Sequence, residues 1–214
     1  MSSLHAAERQ VVRGSTRARD VLPGLRLLLA DEPLTPWLAT EQQSGRVEGP
    51  PFWAHAWPGG LALARWVLDA PEFVRGKRVL DFASGCGVSA IAARQAGAAH
   101  VDATEVDRFA CAAIEENAAL NGVKLNVRGD DVIGVDDGWD VVLVGDVFYE
   151  DELSRRVASW LRRLSARGAV VRIGDPGRSF LPMQSLACEV TYPFSASPAW
   201  DSVVDRPARV WSVP

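Results

Sequence analysis

Apolar and polar positions change rhythm several times along this chain, and each change marks an element. Residues 24–30, GLRLLLA, carry enough leucine to predict a short helix, which Pro33 and Pro36 then break. Residues 41–51 are polar and rich in Gly and Pro, so they read as a loop. The apolar, aromatic FWAHAWPGG follows. Pro58 suits a first helical position, and Leu61, Ala64 and Leu68 carry that helix to about Asp69. KRVLDFA predicts a strand, 87–96 an Ala-rich helix, HVDATEV a strand, 108–121 a helix stopped at Asn121 and Gly122, and KLNVRGD a strand. WDVVLVGD and GAVVRIGD are unbroken apolar runs, as expected of strands covered on both faces. Between them, residues 150–165 place Leu153, Val157, Trp160, Leu161 and Leu164 on one helical face. ACEVTYPF and ARVWSVP then read as two strands, joined by a loop too short and too Pro-rich for a packed helix. Strands alternating with helices imply an α/β fold: a mostly parallel sheet with helices on both faces, five βα units closed by a terminal hairpin.

The 214 residues suffice for one sizeable core, and residues 1–50 read as a helical extension packed on a domain of 51–214. At 48% hydrophobic and 23% charged, the composition is that of an ordinary globular protein. A net charge of −4 supplies no basic footprint for nucleic acid. Cys86, Cys111 and Cys188 are odd in number and form no C-x-x-C pair, which argues against a disulfide framework and a structural zinc site. No metal is expected, and free thiols point to a reducing, cytoplasmic setting. No apolar run approaches the ~18 residues of a bilayer span. Arg9, Arg13, Arg17 and Arg19 faintly suggest a targeting segment, but Glu8 and Asp20 flank them, so a solvated N-terminal helix is expected. A monomer is expected.

The stretch VLDFASGCGVSA, 79–90, bears the first chemistry. Gly85, Gly87 and Ala90 fit the dinucleotide fingerprint G-x-G-x-x-G/A, and Glu105 lies 105 − 85 = 20 residues on. Asp81 argues for a different ligand. A pyrophosphate on this turn would lie near its carboxylate, whereas S-adenosylmethionine has no phosphate and offers an ammonium and a sulfonium. Glu105 could accept both ribose hydroxyls of either ligand. The plainer alternatives are a capping or loop-fixing role for Asp81 and a ligand-free turn for the glycines. Ala83 stands where a further glycine would complete D-x-G-x-G-x-G, the seven-strand methyltransferase motif, and implies a negative φ there.

The second chemical stretch is LVGDVFYEDEL, with Gly145, Asp146 and Tyr149 at the carboxyl end of the fourth strand. A carboxylate there can orient an amine, and an aromatic ring can wall it by cation–π contact. Methyl transfer is an in-line displacement that needs a deprotonated amine held ~3–3.5 Å from the methyl carbon. Asp146 is then a proton acceptor or, better, a positioner. The alternatives are a helix cap for Asp146 and core packing for Tyr149.

PFWAHAWPGG, VLDFASGCG, ATEVD, GDVFYEDEL, IGDPGR and RVWSVP together resemble the lysine methyltransferases of the electron transfer flavoprotein β-subunit, over nearly the whole chain. That resemblance implies a Rossmann-like seven-stranded sheet with an antiparallel last strand, S-adenosyl-L-methionine as cofactor and the flavoprotein β-subunit as protein substrate. It implies Asp146 and Tyr149 as the acceptor pair, Trp57 along the cofactor, and Glu105 on the ribose. Asp130 or Asp131 would reach the adenine, and GDPGR would rim the acceptor side. Ala83, Gly85, Gly87 and Gly145 would border the cofactor. Rival readings are methylation of a ribosomal protein or small amine, an NAD-dependent oxidoreductase, and a non-enzymatic cofactor-binding module. His5, His55 and His100 form no nucleophilic triad, although His55 lies near Trp57. Cys86 reads as packing, Trp53 as core or gate, and the arginines of 155–167 as a solvated face or a dock for an acidic protein.

Overall fold

The structure, a computed structural model, describes residues 6–194, 199–200 and 206–214. It begins with helix α1 (Ala6–Ser15), strands β1 (Arg17–Leu22) and β2 (Leu25–Leu29), and helix α2 (Leu34–Ser44). Residues 25–29 are therefore a strand, not the expected helix. Gly24 turns the chain at φ 76, and β2 pairs antiparallel with β1. Leu25 and Leu27 are buried while Arg26 is exposed, a period of two that overrides leucine's helical preference. His5 lies outside the described residues.

Helix α3 (Pro58–Asp69) starts at the predicted proline. The main sheet then runs through β3 (Arg78–Phe82), α4 (Val88–Gln95), β4 (His100–Thr104), α5 (Arg108–Leu120), β5 (Asn126–Arg128), β6 (Val141–Gly145), α6 (Asp151–Ala166), β7 (Val170–Asp175), β8 (Ala187–Tyr192) and β9 (Ala208–Ser212). Its order is β5-β4-β3-β6-β7-β9-β8. The strands from β5 to β7 are parallel, and β9 is antiparallel to both its neighbours. The fold is the expected seven-stranded α/β sheet with antiparallel C-terminal strands. Part of the connection expected to join β8 and β9 as a Pro-rich loop lies outside the described residues.

Among the described residues, α-helices follow β3, β4 and β6 of the main sheet but not β5 or β7, so the five-unit expectation is corrected. Residues 129–140, between β5 and β6, hold Gly134 and Gly138 at positive φ and form no helix. Instead, Val132 and Trp139 bury themselves on that face of the sheet, and Trp160 Nε1 donates to the Val135 carbonyl at 2.7 Å. Along β3 and β6, Val79, Val141 and Leu143 join the core under α3 and α4, while Leu80, Phe82, Val142 and Val144 join that under α6. This alternation is the pleat of a strand buried on both sides. Helix α1 is docked rather than solvated. Val12 is fully buried, and Arg9 and Arg13 pair with Glu115 and Glu116 of α5, Arg13 Nε reaching Glu116 at 2.6 Å.

Candidate active site

Strand order reverses between β3 and β6, and the carboxyl ends of such a switch point are where open α/β sheets bind ligands. A cavity of about 450 Å³ opens there, the size of a small-molecule site. Ala83 and Gly85, Glu105, Asp130 and Asp131, Gly145, Asp146 and Tyr149, and Trp57 all line it. Asp81 and Gly87 do not.

The turn after β3 is left-handed three times, with Ala83 at φ 51, Gly85 at 55 and Gly87 at 82. Ala83 therefore takes the conformation of the glycine it replaces, contrary to the expected negative φ. Gly87 N–H donates to the Ser84 carbonyl at 2.8 Å, and a Cβ on Gly87 would meet Ile114 at 3.2 Å. Its role is to close the turn and seat it on α5. Asn117, fully buried on α5, holds the same turn by donating to the Cys86 carbonyl at 2.8 Å. Cys86 is buried, and burial pushes its thiol up to about 12, consistent with packing.

Asp81 is buried beneath the turn. Its Oδ2 accepts from the Ser84 hydroxyl and, at 3.0 Å, from Ala90 N–H in the first turn of α4. Burial pushes its carboxyl up to about 7 against those two hydrogen bonds. Asp81 thus caps the first turn of α4, as in the plainer alternative, and lies beneath the cavity rather than lining it. The preference against a pyrophosphate survives on other grounds. A helix N-terminus after a glycine turn binds phosphate through free amides. Here Ala90 N–H is taken by Asp81, and Gly85 N–H is taken by Glu105 Oε2 at 3.1 Å. Glu105 Oε1 accepts from Val106 N–H at 2.9 Å, and burial raises its carboxyl. Oε1 also accepts from Asp107 N–H at 3.5 Å, so it is Oε2, with its one donor, that keeps a lone pair for a hydroxyl. Farther along, both oxygens of Asp130 bind Arg128, at 3.1 and 2.8 Å. Asp131 accepts from Ile133 N–H at 2.9 Å and Arg156 at 3.2 Å.

At the other end, Asp146 has φ 55 and its carboxylate is held from two sides. Arg178 Nη2 and Nε lie 3.1 and 3.3 Å from Oδ1, and Gly60 N–H donates to Oδ2 at 3.1 Å. Burial raises its carboxyl while Arg178 pulls it down. Asp146 does not cap α6, whose cap position is Glu150, but through Gly60 N–H it caps the first turn of α3. Tyr149 is 51% exposed and therefore not core; its ring lies 6.2 Å from that of Phe52. The Arg178 guanidinium sits 5.4 Å from the Trp57 ring centre, and Trp57 Nε1 donates to the Phe52 carbonyl at 2.9 Å. Trp53 is buried and also lines the cavity.

The Arg178 pairing is legible in no motif, although IGDPGR marks the loop that carries it. Helix α3 reaches the site because Gly59 meets Gly174 backbone to backbone, where a Cβ on Gly59 would fall 2.0 Å from the Gly174 carbonyl oxygen. The paired glycines of WPGG were the available signal. The arginines of α6 are partly engaged, Arg155 with Asp151 and Arg156 with Asp131. Among the described residues no helix is long and apolar enough to cross a membrane.

Residues 67–145 match the family model described as Ribosomal protein L11 methyltransferase (PrmA). The electron transfer flavoprotein beta subunit lysine methyltransferase of Xenopus laevis is 46% identical over 134 residues, 61% of this chain and 54% of that protein. This chain is similar to that group of methyltransferases. The Homo sapiens protein of the same name is 44% identical over 134 residues, 60% of this chain and 50% of its own length. The chain therefore spans about half the length of the curated relatives it matches. Magnesium protoporphyrin IX methyltransferase from Synechocystis PCC 6803, solved with bound SAM, superposes with a TM-score of 0.52 at 13% identity, over 99% of this chain and 92% of that one. At that identity the likeness shows the fold alone.

Proposed function

We propose that this chain is an S-adenosyl-L-methionine-dependent protein-lysine N-methyltransferase acting on the β-subunit of electron transfer flavoprotein. The observation that carries this reading is one cavity with Glu105 at one end and the Asp146–Tyr149 pair, walled by Trp57, at the other. The donor set suits a phosphate-free nucleoside, since carboxylates already take the Gly85 and Ala90 amides at this turn. The cofactor supplies a methyl group activated on a cationic sulfur. Glu105 would hold the ribose, Asp130 or Asp131 would border the adenine, and Ala83, Gly85, Gly145 and Trp57 would flank the length between. Tyr149 and Trp57 would wall the lysine stem and keep water from it, while Asp146 orients the nitrogen. The protein's work is positioning and desolvation. The flavoprotein as acceptor is supported by the names of the relatives.

Incubating the chain with cofactor and purified flavoprotein β-subunit, then weighing the intact acceptor, tests this. Whole methyl increments are expected. Asp146→Ala should slow them at least ~100-fold, the lower end for losing a group that orients a proton-bearing nucleophile, while still binding S-adenosylhomocysteine. No increment on the flavoprotein with one on ribosomal protein L11 would move the acceptor to the first rival. Binding of NADH in place of S-adenosylhomocysteine would remove the methyltransferase reading.

A further inference from the structure

We propose that Arg178 is a positioning residue that sets the charge of the acceptor end, so that a lysine side chain is held beside Asp146 as the neutral amine. This rests on the lysine methyltransferase reading above and adds to it a residue that governs when the acceptor becomes a nucleophile.

The Arg178 and Asp146 side chains are 10% and 8% exposed, and two nitrogens of the guanidinium address one carboxylate oxygen. The loop carrying Arg178 is fixed from below, where Asp175 Oδ1 accepts from the N–H groups of Gly177 and Arg178, both at 2.7 Å. The far side of the guanidinium faces Trp57. Such a fork is prepaid in geometry and does not swing away as a lone lysine would.

The charged and titratable groups around this pair come from every neighbouring element, including Arg206, whose Nη1 donates to the Gly177 carbonyl at 3.2 Å, and Arg209 of β9, opposite Asp175. Asp146 follows β6, Asp175 ends β7, Tyr149 precedes α6, and His55 stands edge-on to Trp57 at 5.1 Å. The Cys86 thiol is buried nearby, and Glu105, Asp107, Asp130, Asp131 and Arg156 line the other part of the cavity. Burial, with the Asp146 charge second, pushes the Asp175 carboxyl up to about 7, so it carries about half a negative charge at neutrality and more above it, to which Arg178 is the adjacent counter-charge. Without Arg178, the acceptor end would present an uncompensated Asp146 carboxylate, and an incoming ammonium would be bound in its unreactive form. With Arg178 the pair is neutral, and the guanidinium is a like charge to the ammonium. A charge within about 4–6 Å moves a neighbour's pKa by one or more units, here downward for the amine. The ammonium then gives its proton to water. The freed lone pair forms the N–C bond as the S–C pair returns to sulfur, leaving a neutral thioether and a methylammonium.

The test measures kcat and KM for the flavoprotein β-subunit from about pH 6 to about pH 10, spanning the ordinary lysine range. The wild type, Arg178→Gln and Arg178→Lys are compared, with S-adenosylhomocysteine affinity as a check on the other end of the cavity. For Arg178→Gln the rising limb of kcat should move up by about one pH unit or more, with KM unchanged or lower. Arg178→Lys, which keeps the charge, should keep the wild-type limb. The proposal is overturned if both variants share the wild-type profile, or if Gln lowers kcat by one factor at every pH. Should Arg178→Gln not fold, wild type decides alone, with aminoethylcysteine replacing the target lysine as a more acidic amine. An unchanged or lower kcat near neutrality supports an already discharged acceptor, and a severalfold rise overturns it. If wild type binds S-adenosylhomocysteine but methylates no lysine, the functional reading fails and this inference falls with it. If wild type methylates and the profiles coincide, this inference alone fails.

Discussion

Ala83 and Asp146 are the non-glycine residues with left-handed backbone among those described, and both border the cavity, at the ends of the adjacent strands β3 and β6. Aspartate tolerates this region because its short polar side chain can bond locally, and here Gly60 N–H and Arg178 hold it there. Alanine has no such compensation. Ala83→Gly should relieve backbone strain of roughly 1 kcal/mol, in part offset by the freer unfolded chain. A gain in melting temperature of about 1–3 °C is expected by calorimetry, and a loss of that size would show that the Ala83 methyl packs to greater effect than its backbone is strained. That Glu105, Asp146 and Tyr149 border one cavity was readable from their position at strand ends. The orientation of Asp81 was not. Its place in the motif is one residue before the strand ends, and only the pleat decides that its carboxylate points under the turn toward α4.

Among elements, the contact of α3 with the ends of β6 and β7 aligns the acceptor end. Gly59, Gly60, Gly145 and Gly174 allow it. A Cβ on Gly145 would lie 3.1 Å from Gly60 N, and one on Gly59 would lie 2.5 Å from Asp146 Oδ2 as well as against Gly174. Gly59→Ala must force helix and sheet apart, at a cost of about 3 kcal/mol by the usual scale of overpacking. The melting temperature should fall by about 6–12 °C, and methyl transfer should drop more steeply than S-adenosylhomocysteine binding. A variant that keeps wild-type stability and rate would show that this contact gives easily. Pro58 announced the helix start in the sequence. What the helix approaches depends on Gly145, Asp146 and Gly174, about 85 to 115 positions later, beyond any local pattern.

For the whole molecule, residues 6–44 and the sheet domain share their cores. Leu25 and Leu27 pack with Ile91 and Ile114, and Val12 with Trp53 and Phe109. Asn117 ties the two parts by accepting from Leu28 N–H at 2.7 Å while holding the glycine turn. We propose that the division into an extension of 1–50 and a domain of 51–214 separates parts that do not fold apart. Chain 51–214 alone should lose cooperative thermal unfolding, since each buried Leu or Val removed is worth about 1.5–3 kcal/mol. A sharp transition and retained S-adenosylhomocysteine binding in that fragment would contradict this.

The order of strands and helices, the glycine turn, and the acidic and aromatic residues at strand ends were determined by the sequence itself, because period, turn chemistry and strand ends are local. Strand β2 was missed because its leucines serve a helix or a strand equally, and pairing with β1 chose between them. The empty helix slot between β5 and β6 was missed because Val132 and Trp139 of a loop can cover a sheet face without one. The Arg178 clamp and the buried cap of Asp81 were decided by the tertiary structure alone. Each depends on which charges meet where water is excluded, and that energy belongs to the packed arrangement rather than to any stretch of chain.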